Sequence, residues 1–286
     1  MGYTFKNGLM YRMPTHFGPA CGPRQGPEGR NQFLGKDARS ENRVVAVSFL
    51  TNPDQLEAMI PEGVGLELGK EPVVTVSVTY MKGIPWLAGR GYNMLGVTFP
   101  VIFKGKKDRA EGSFLTVLWE NLTDAIVTGR EELGFSKIYA ELPEPELFPD
   151  KVHCTAGWLG FTFFDLVVEG LKPLSSQELK SATGLRGSGD GLIHYKYMPR
   201  TGVWGTPEVS CVTLTPMTVG GPPAKKEGWK GRGKVAFHRA TWEDMPTEYM
   251  IVNTFCDLEI KEYRDAYMLR TEGGTVDDLS DTHILQ

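Results

Sequence analysis

The chain has 286 residues, enough for one large domain or two small ones, with 41% hydrophobic and 23% charged residues as in ordinary globular proteins. No run approaches the ~20 apolar residues that a spanning helix needs, so no membrane partner is expected. A formal net charge of −4, with Lys and Arg scattered rather than striped, leaves little to neutralise phosphates and argues against nucleic acid as a partner.

The N-terminus lacks the basic start and apolar core of a secretory signal, so a cytoplasmic protein is expected. Residues 1–40 are rich in Gly, Pro, Asn and Arg without a hydrophobic period. They read as an extended arm of the kind that wraps a partner subunit. A folded domain is expected over 41–270, followed by a polar, loosely held tail over 271–286. The run VVAVSFL after Arg43 reads as a strand, and Asn52-Pro53 followed by DQLEAMI reads as a short helix ending before Pro61.

Further strands are predicted over 73–80, 99–103, 113–119, 162–168, 192–198, 209–214 and 235–239, where Val, Thr, Phe and Tyr cluster between turn residues. Helices are predicted over 123–133, 175–181 and 245–254. The glycine-rich, basic stretch GGPPAKKEGWKGRGK reads as a solvated loop between strands. There is no internal repeat, heptad pattern or βα alternation, which excludes Rossmann and TIM architectures. A mixed α/β fold on a closed or strongly curved sheet remains. Cys21, Cys154, Cys211 and Cys256 form no CxxC pair and read as free thiols. The five histidines show no ligand spacing, so no metal is expected, and there is no GxSxG elbow or phosphate loop. Trp86, Trp119, Trp158 and Trp204 read as core or pocket walls.

Chemistry concentrates in LWENLTDAIVTGREELGFSKIYAELP. Here a strand ends, Asn121 or Thr123 can cap a short helix, Gly134 stops it, and Lys137 follows within Phe135-Ser136-Lys137-Ile138-Tyr139. Burial among such groups disfavours ammonium, making neutral amine available near neutrality. Neutral amine adds to a ketone and loses water, and the protonated imine accepts the electrons of a breaking carbon–carbon bond. Read on spacing alone, the same lysine could lay its stem on apolar surface and keep its head in water.

Gly129-Arg130-Glu131, the aromatic at Phe135 and Lys137 resemble the Schiff-base lysine signature of the acetoacetate decarboxylase family, itself a standard example of an activated lysine. Asn42-Arg43 with Asp54, Leu56 and Pro61-Glu62 is similar to the family's N-terminal arginine segment. Glu71-Pro72-Val73, the HYKYMP run from His194 to Pro199, and Leu258 to Glu262 resemble later strands. The resemblance implies a cone-shaped β-barrel with a few flanking helices, a homo-oligomer, a small keto acid as substrate and no cofactor. It makes Lys137 the imine former and places Arg43 near the substrate carboxylate, where a guanidinium grips with two hydrogen bonds.

Four positions depart from the family pattern. Its second lysine is Ile138 here, the proline before the imine lysine is Ser136, and its two glutamates fall at Ser77 and about Met94. These departures resemble family relatives that keep the imine but condense pyruvate-type acids with aldehydes and dehydrate the product. Such work needs a positioned acid/base. Glu120, Tyr80, Tyr92 and Glu131 are candidates, Glu120 foremost because it ends the strand before the lysine segment. Tyr80, Tyr92 and Met94 also read as substrate-binding. Three functions follow: a carbon–carbon lyase such as a decarboxylase, an aldolase-dehydratase, or a keto-acid-binding protein without turnover.

Overall fold

The computed structural model describes residues 2–22, 25–26, 29, 40–181, 189–217, 224–273 and 281–286. Its strands in chain order are β1 (Glu41–Leu50), β2 (Leu66–Leu68), β3 (Val73–Ile84), β4 (Arg90–Lys104), β5 (Arg109–Glu120), β6 (Lys137–Tyr139), β7 (Glu146–Leu147), β8 (Lys151–Trp158), β9 (Phe161–Pro173), β10 (Gly191–Pro199), β11 (Pro207–Pro216), β12 (Ala224–Phe237), β13 (Glu262–Glu272) and β14 (His283–Ile284). Four short helices accompany them: α1 (Pro53–Glu57), α2 (Thr123–Thr128), α3 (Ser176–Ser181) and α4 (Tyr249–Cys256). The first starts as its sequence predicts, with the Asn52 side chain accepting from the Asp54 N–H and Pro53 at the first helical position. Among the described residues no helix is long and apolar enough to cross a membrane.

The mixed α/β class is as expected. The strands form one sheet in the order β14-β11-β10-β5-β4-β3-β1-β13-β12-β9-β8-β7, with β2 beside β4 and β6 beside β5. Most neighbours are antiparallel; β5 pairs in parallel with β10 near its start and with β6 near its end. As a ladder the sheet is not closed into the expected barrel. One antiparallel bridge, Glu141 to Gly157, links the chain just past β6 to β8.

Two further expectations are corrected. Residues 224–234 of the presumed basic loop belong to β12, an interior strand between β9 and β13. Its glycines are packing features: a Cβ on Gly233 would lie 2.6–2.8 Å from Ala266 and Val47 side-chain atoms. The strand expected from Leu258, taken as the final one, starts at Glu262 as β13 and is followed by β14. The described end of the tail is pinned, since β14 pairs with β11 and the Gln286 carbonyl accepts from the Lys107 and Asp108 N–H groups.

Residues directly opposite on paired strands share a face. One face carries Val45, Val47, Val76, Val78, Leu95 and Val97 into the main core, with Leu56 of α1 and Val252 and Phe255 of α4. Trp119 is fully buried there against Phe163, 5.2 Å between ring centres, and its indole N–H donates to Glu248. The other face of β3, β4 and β5 is also covered, by the segment from α2 to β6. Burial on both faces explains why β3 reads as a nearly unbroken apolar and hydroxyl run.

A chain of titratable groups ties β7, β8, β9 and the end of β12. His153 Nδ1 lies 2.9 Å from Glu146 Oε2, His153 Nε2 lies 2.5 Å from Asp165 Oδ1, and His238 Nε2 lies 2.6 Å from Asp165 Oδ2. Both His153 nitrogens face carboxylates, so the ring donates twice only as the cation. Burial opposes that charge, but the hydrogen bonds to Glu146 and Asp165 outweigh it and raise the His153 pKa. Burial likewise pushes Asp165 up, but the hydrogen bonds from His238 and His153 outweigh it and lower its pKa.

The raised histidine contributes stability below its unfolded value of about 6.5 and loses it as pH climbs through the folded value. The lowered aspartate contributes above about 3.9 and loses it as pH falls through its folded value. Urea titrations are therefore expected to show stability declining on the alkaline side, with a shallower decline in His153→Gln. An unchanged slope in that variant would remove the cluster from the pH response.

Candidate active site

After Glu120 the chain leaves β5 and forms α2, which passes into a π-helical turn over Gly129–Leu133. Leu122 occupies the N-cap without a side-chain cap. The Asn121 side chain instead accepts from the Asn93 N–H at 2.8 Å. Gly134, at φ +91°, ends the turn in the left-handed region that glycine tolerates best. The chain then returns along β5 in parallel, Leu118 opposite Lys137 and Glu120 opposite Tyr139. That register places Lys137 on the same face as Leu118 and Glu120.

Lys137 is 7% exposed and Glu120 is fully buried. The ammonium nitrogen lies 2.9 Å from Glu120 Oε1 and donates to the Ala125 carbonyl at 3.1 Å. The Phe135 ring is 5.1 Å away, centroid to nitrogen, where its negative face attracts a cation. Space for the lysine stem comes from Gly129, where a Cβ would sit 2.4 Å from Lys137 Cδ and Cε. Arg130 Nη1 donates to the Lys137 carbonyl at 2.8 Å and fixes the backbone.

The cross-strand rows decide which expected residues meet. Val44, Thr79, Met94 and Glu120 are successive partners across β1, β3, β4 and β5 and share the face of Lys137. Met94 packs against both clusters flanking Lys137: Leu118, Leu133 and Phe135 on one side, Tyr92 and Ala125 on the other. Ser77 also lies on this face, opposite Gly96, with a buried hydroxyl that has no hydrogen-bond partner among the described residues. Lys137, Glu120, Tyr92 and Met94 thus gather in one region.

Arg43 and Tyr80 pair with each other across β1 and β3 on the opposite, main-core face, and are not brought to Lys137. Glu131 joins the turn through its backbone carbonyl, which accepts from Lys196 Nζ at 2.5 Å.

Three groups at this site escape a local reading. His194 of β10 is fully buried, stacked on Phe135 at 3.9 Å, and its Nε2 lies 3.1 Å from Thr215 Oγ1. Burial, helped by the nearby Lys137 charge, pushes its pKa down to about 3, so the ring is neutral. Lys196 donates to the carbonyls of Glu131 and Glu132 at the end of the π-helical turn. Arg12 of the N-terminal arm donates to Thr128 Oγ1 and, through Nη2, to the Cys21 carbonyl at 3.2 Å; its Nε stands 3.8 Å from Glu132 Oε1. HYKYMP pointed to His194 and Lys196 only through family likeness, and nothing local marked Arg12.

The chain thus combines a strand-rich α/β fold with a buried lysine–glutamate pair beneath a GRE-bearing turn. A family model described as acetoacetate decarboxylase (ADC) matches residues 12–278, and the chain belongs to that family. No curated protein sequence matches it. Among solved structures, one from structural studies of acetoacetate decarboxylase is similar, with TM-score 0.62 and 16% identity over 91% of this chain and 94% of the other. Acetoacetate decarboxylase from Legionella pneumophila gives 0.61 and 20% over 87% of each chain. The enduracididine biosynthesis enzyme MppR, complexed with the condensation product of pyruvate and imidazole 4-carboxaldehyde, gives 0.58 and 13% over 86% and 90%.

Removing one partner of a buried ion pair strands the other charge. Lys137→Met is expected to lower the unfolding free energy by about 3–5 kcal/mol, and Lys137→Met with Glu120→Leu to regain most of it. Denaturant titration checks both; a double variant no better than the single one would mean that Glu120 is compensated by other groups.

Proposed function

We propose that the protein is a carbon–carbon lyase that works through an imine between Lys137 and a small keto acid. The observation that supports this most directly is the amine held 2.9 Å from a fully buried carboxylate. Transfer of one proton from the ammonium to Glu120 gives the neutral amine that attack on a keto carbon requires, and a neutral acid beside it. The amine nitrogen bonds to the keto carbon and the carbonyl oxygen leaves as water, with Glu120 positioned to return the proton. The protonated imine then takes up the electron pair of the bond broken beside it; loss of carbon dioxide leaves an enamine. Protonation at carbon and hydrolysis release the product and restore the amine.

Tyr92 and Met94 would wall the substrate space, and Ser77 offers a hydroxyl on the same face. The carboxylate grip implied for Arg43 finds no support in the strand register. A second reading, aldol condensation and dehydration, uses the same imine. It is favoured by serine and methionine at the family's glutamate positions and by the likeness to MppR.

Borohydride reduction in the presence of pyruvate or acetoacetate tests the imine. Intact mass should rise by the reduced adduct, peptide mapping should place it on Lys137, and Lys137→Ala should stay unmodified. Absence of an adduct with every keto acid tried would leave a binding protein without turnover. Carbon dioxide release from acetoacetate, against a conjugated chromophore from pyruvate plus an aldehyde, separates the two enzyme readings.

A further inference from the structure

His194 is a fully buried titratable group that the imine chemistry leaves without a part. Filling space does not require an imidazole, and its Nδ1 is buried with no hydrogen-bond partner among the described residues. A leucine or phenylalanine would avoid that cost, so the ring calls for a reason other than packing. Its two contacts supply one. The ring stacks on Phe135, 3.9 Å between centres and 30° between planes, and Nε2 lies 3.1 Å from Thr215 Oγ1. Thr215 Oγ1 lies 2.9 Å from Thr282 Oγ1, in the C-terminal segment that β14 holds against β11.

Phe135 carries the connection to the amine. Its ring centre lies 5.1 Å from Lys137 Nζ, and the buried neighbours in its cluster, Leu115, Leu118, Leu133 and Leu192, are aliphatic. Aliphatic contacts are non-directional and leave the tilt of a phenyl ring open, whereas a stacked planar partner sets it. An imidazole adds what another phenyl cannot: a hydrogen bond that fixes the rotation of its own plane, made here with the Thr215 hydroxyl. The ring must also carry no charge, since a cation in this place would repel the Lys137 ammonium. Burial, with the Lys137 charge nearby, pushes the His194 pKa down to about 3 and meets that condition.

We propose that His194 is a positioning residue for the Lys137 amine: it sets the plane of Phe135, and Phe135 confines the amine beside Glu120. Thr215 and Thr282 orient the imidazole, so the C-terminal segment, remote in sequence from Lys137, takes part in the site. The role in turnover rests on the imine reading proposed above. Reacting atoms must meet at about 3–3.5 Å in a defined direction, so a small displacement of the amine lowers the rate more than it weakens the hold on the acid.

Two measurements separate the placement of the amine from its chemistry. In protein carrying carbon-13-labelled lysine, the Lys137 ε-methylene signal, assigned by its absence from Lys137→Met with Glu120→Leu, senses the ring current of Phe135. It should move in His194→Leu, Thr215→Val and Thr282→Val, and keep the wild-type position in Thr215→Ser, which retains the hydroxyl. Under borohydride, the rate of keto-acid adduct formation at saturation should fall roughly tenfold to hundredfold in His194→Leu and Thr215→Val, and by a smaller factor in Thr282→Val. The half-saturating concentration should change less than about twofold, and Thr215→Ser should react like the wild type. Circular dichroism reports folding; Thr282 is half-buried, so Thr282→Val carries both measurements if the buried variants do not fold. An unmoved signal in every folded variant would overturn the placement whatever the chemistry. A moved signal with wild-type rates, or a rate loss that Thr215→Ser shares, would overturn the positioning role. A moved signal in a protein that forms no adduct would discard the imine reading and support the placement of the amine.

Discussion

A carboxylate and an ammonium buried against each other, Glu120 and Lys137, set the terms for everything packed around them. Removing each charge from water costs several kcal/mol, and their attraction offsets this only if the remaining protons find partners. Here the Ala125 carbonyl takes another ammonium proton and the Phe135 ring presents its electron-rich face. The glycines of the GRE segment then have physical reasons. Gly129 must lack a Cβ because the lysine stem passes through that volume, and Gly134 must turn left-handed so that the chain can come back along β5.

The site is held from distant parts of the chain. His194 and Lys196 alternate with Tyr195 along β10, which puts them on one face. The first stacks on Phe135 and the second holds the carbonyls that end the π-helical turn. Thr213 of β11 donates to the Leu133 carbonyl at 2.8 Å, and Arg12 reaches Thr128 from the N-terminal arm. These supports from distant strands and the arm hold the loop that sets the distance between Lys137 and Glu120.

Local chemistry made much of this legible. Asn52-Pro53 marked α1, the apolar β-branched runs marked β3, β5, β10 and β11, and Gly134 marked the end of the turn, because each signal lies within a few residues of its effect. β12 was misread because its interior glycines and lysines look like a loop; only the closeness of Val47, Ala266 and Val168 shows that glycine is needed for packing. Glu120 could be suspected from its place at a strand end. That it faces Lys137 depends on a parallel register between β5 and β6, which no local pattern encodes. Arg43 went the other way: its motif was recognisable, but β1 is buried on both faces, and without hydrophobic alternation the direction of a side chain cannot be read.

The same register explains the departure at residue 138. Ile138 lies opposite Trp119, on the face of the main core, and packs there among apolar groups. A lysine at 138 in this strand would be directed away from Lys137 and into that core, where its charge would be unpaired. Isoleucine at this position therefore removes no neighbour from the amine in this chain. The groups that face the Lys137 nitrogen are the carboxylate of Glu120, the Ala125 carbonyl and the Phe135 ring. On the proposed imine reading, the pair of Lys137 and Glu120 would serve both the removal of water from a carbinolamine and the return of a proton to carbon.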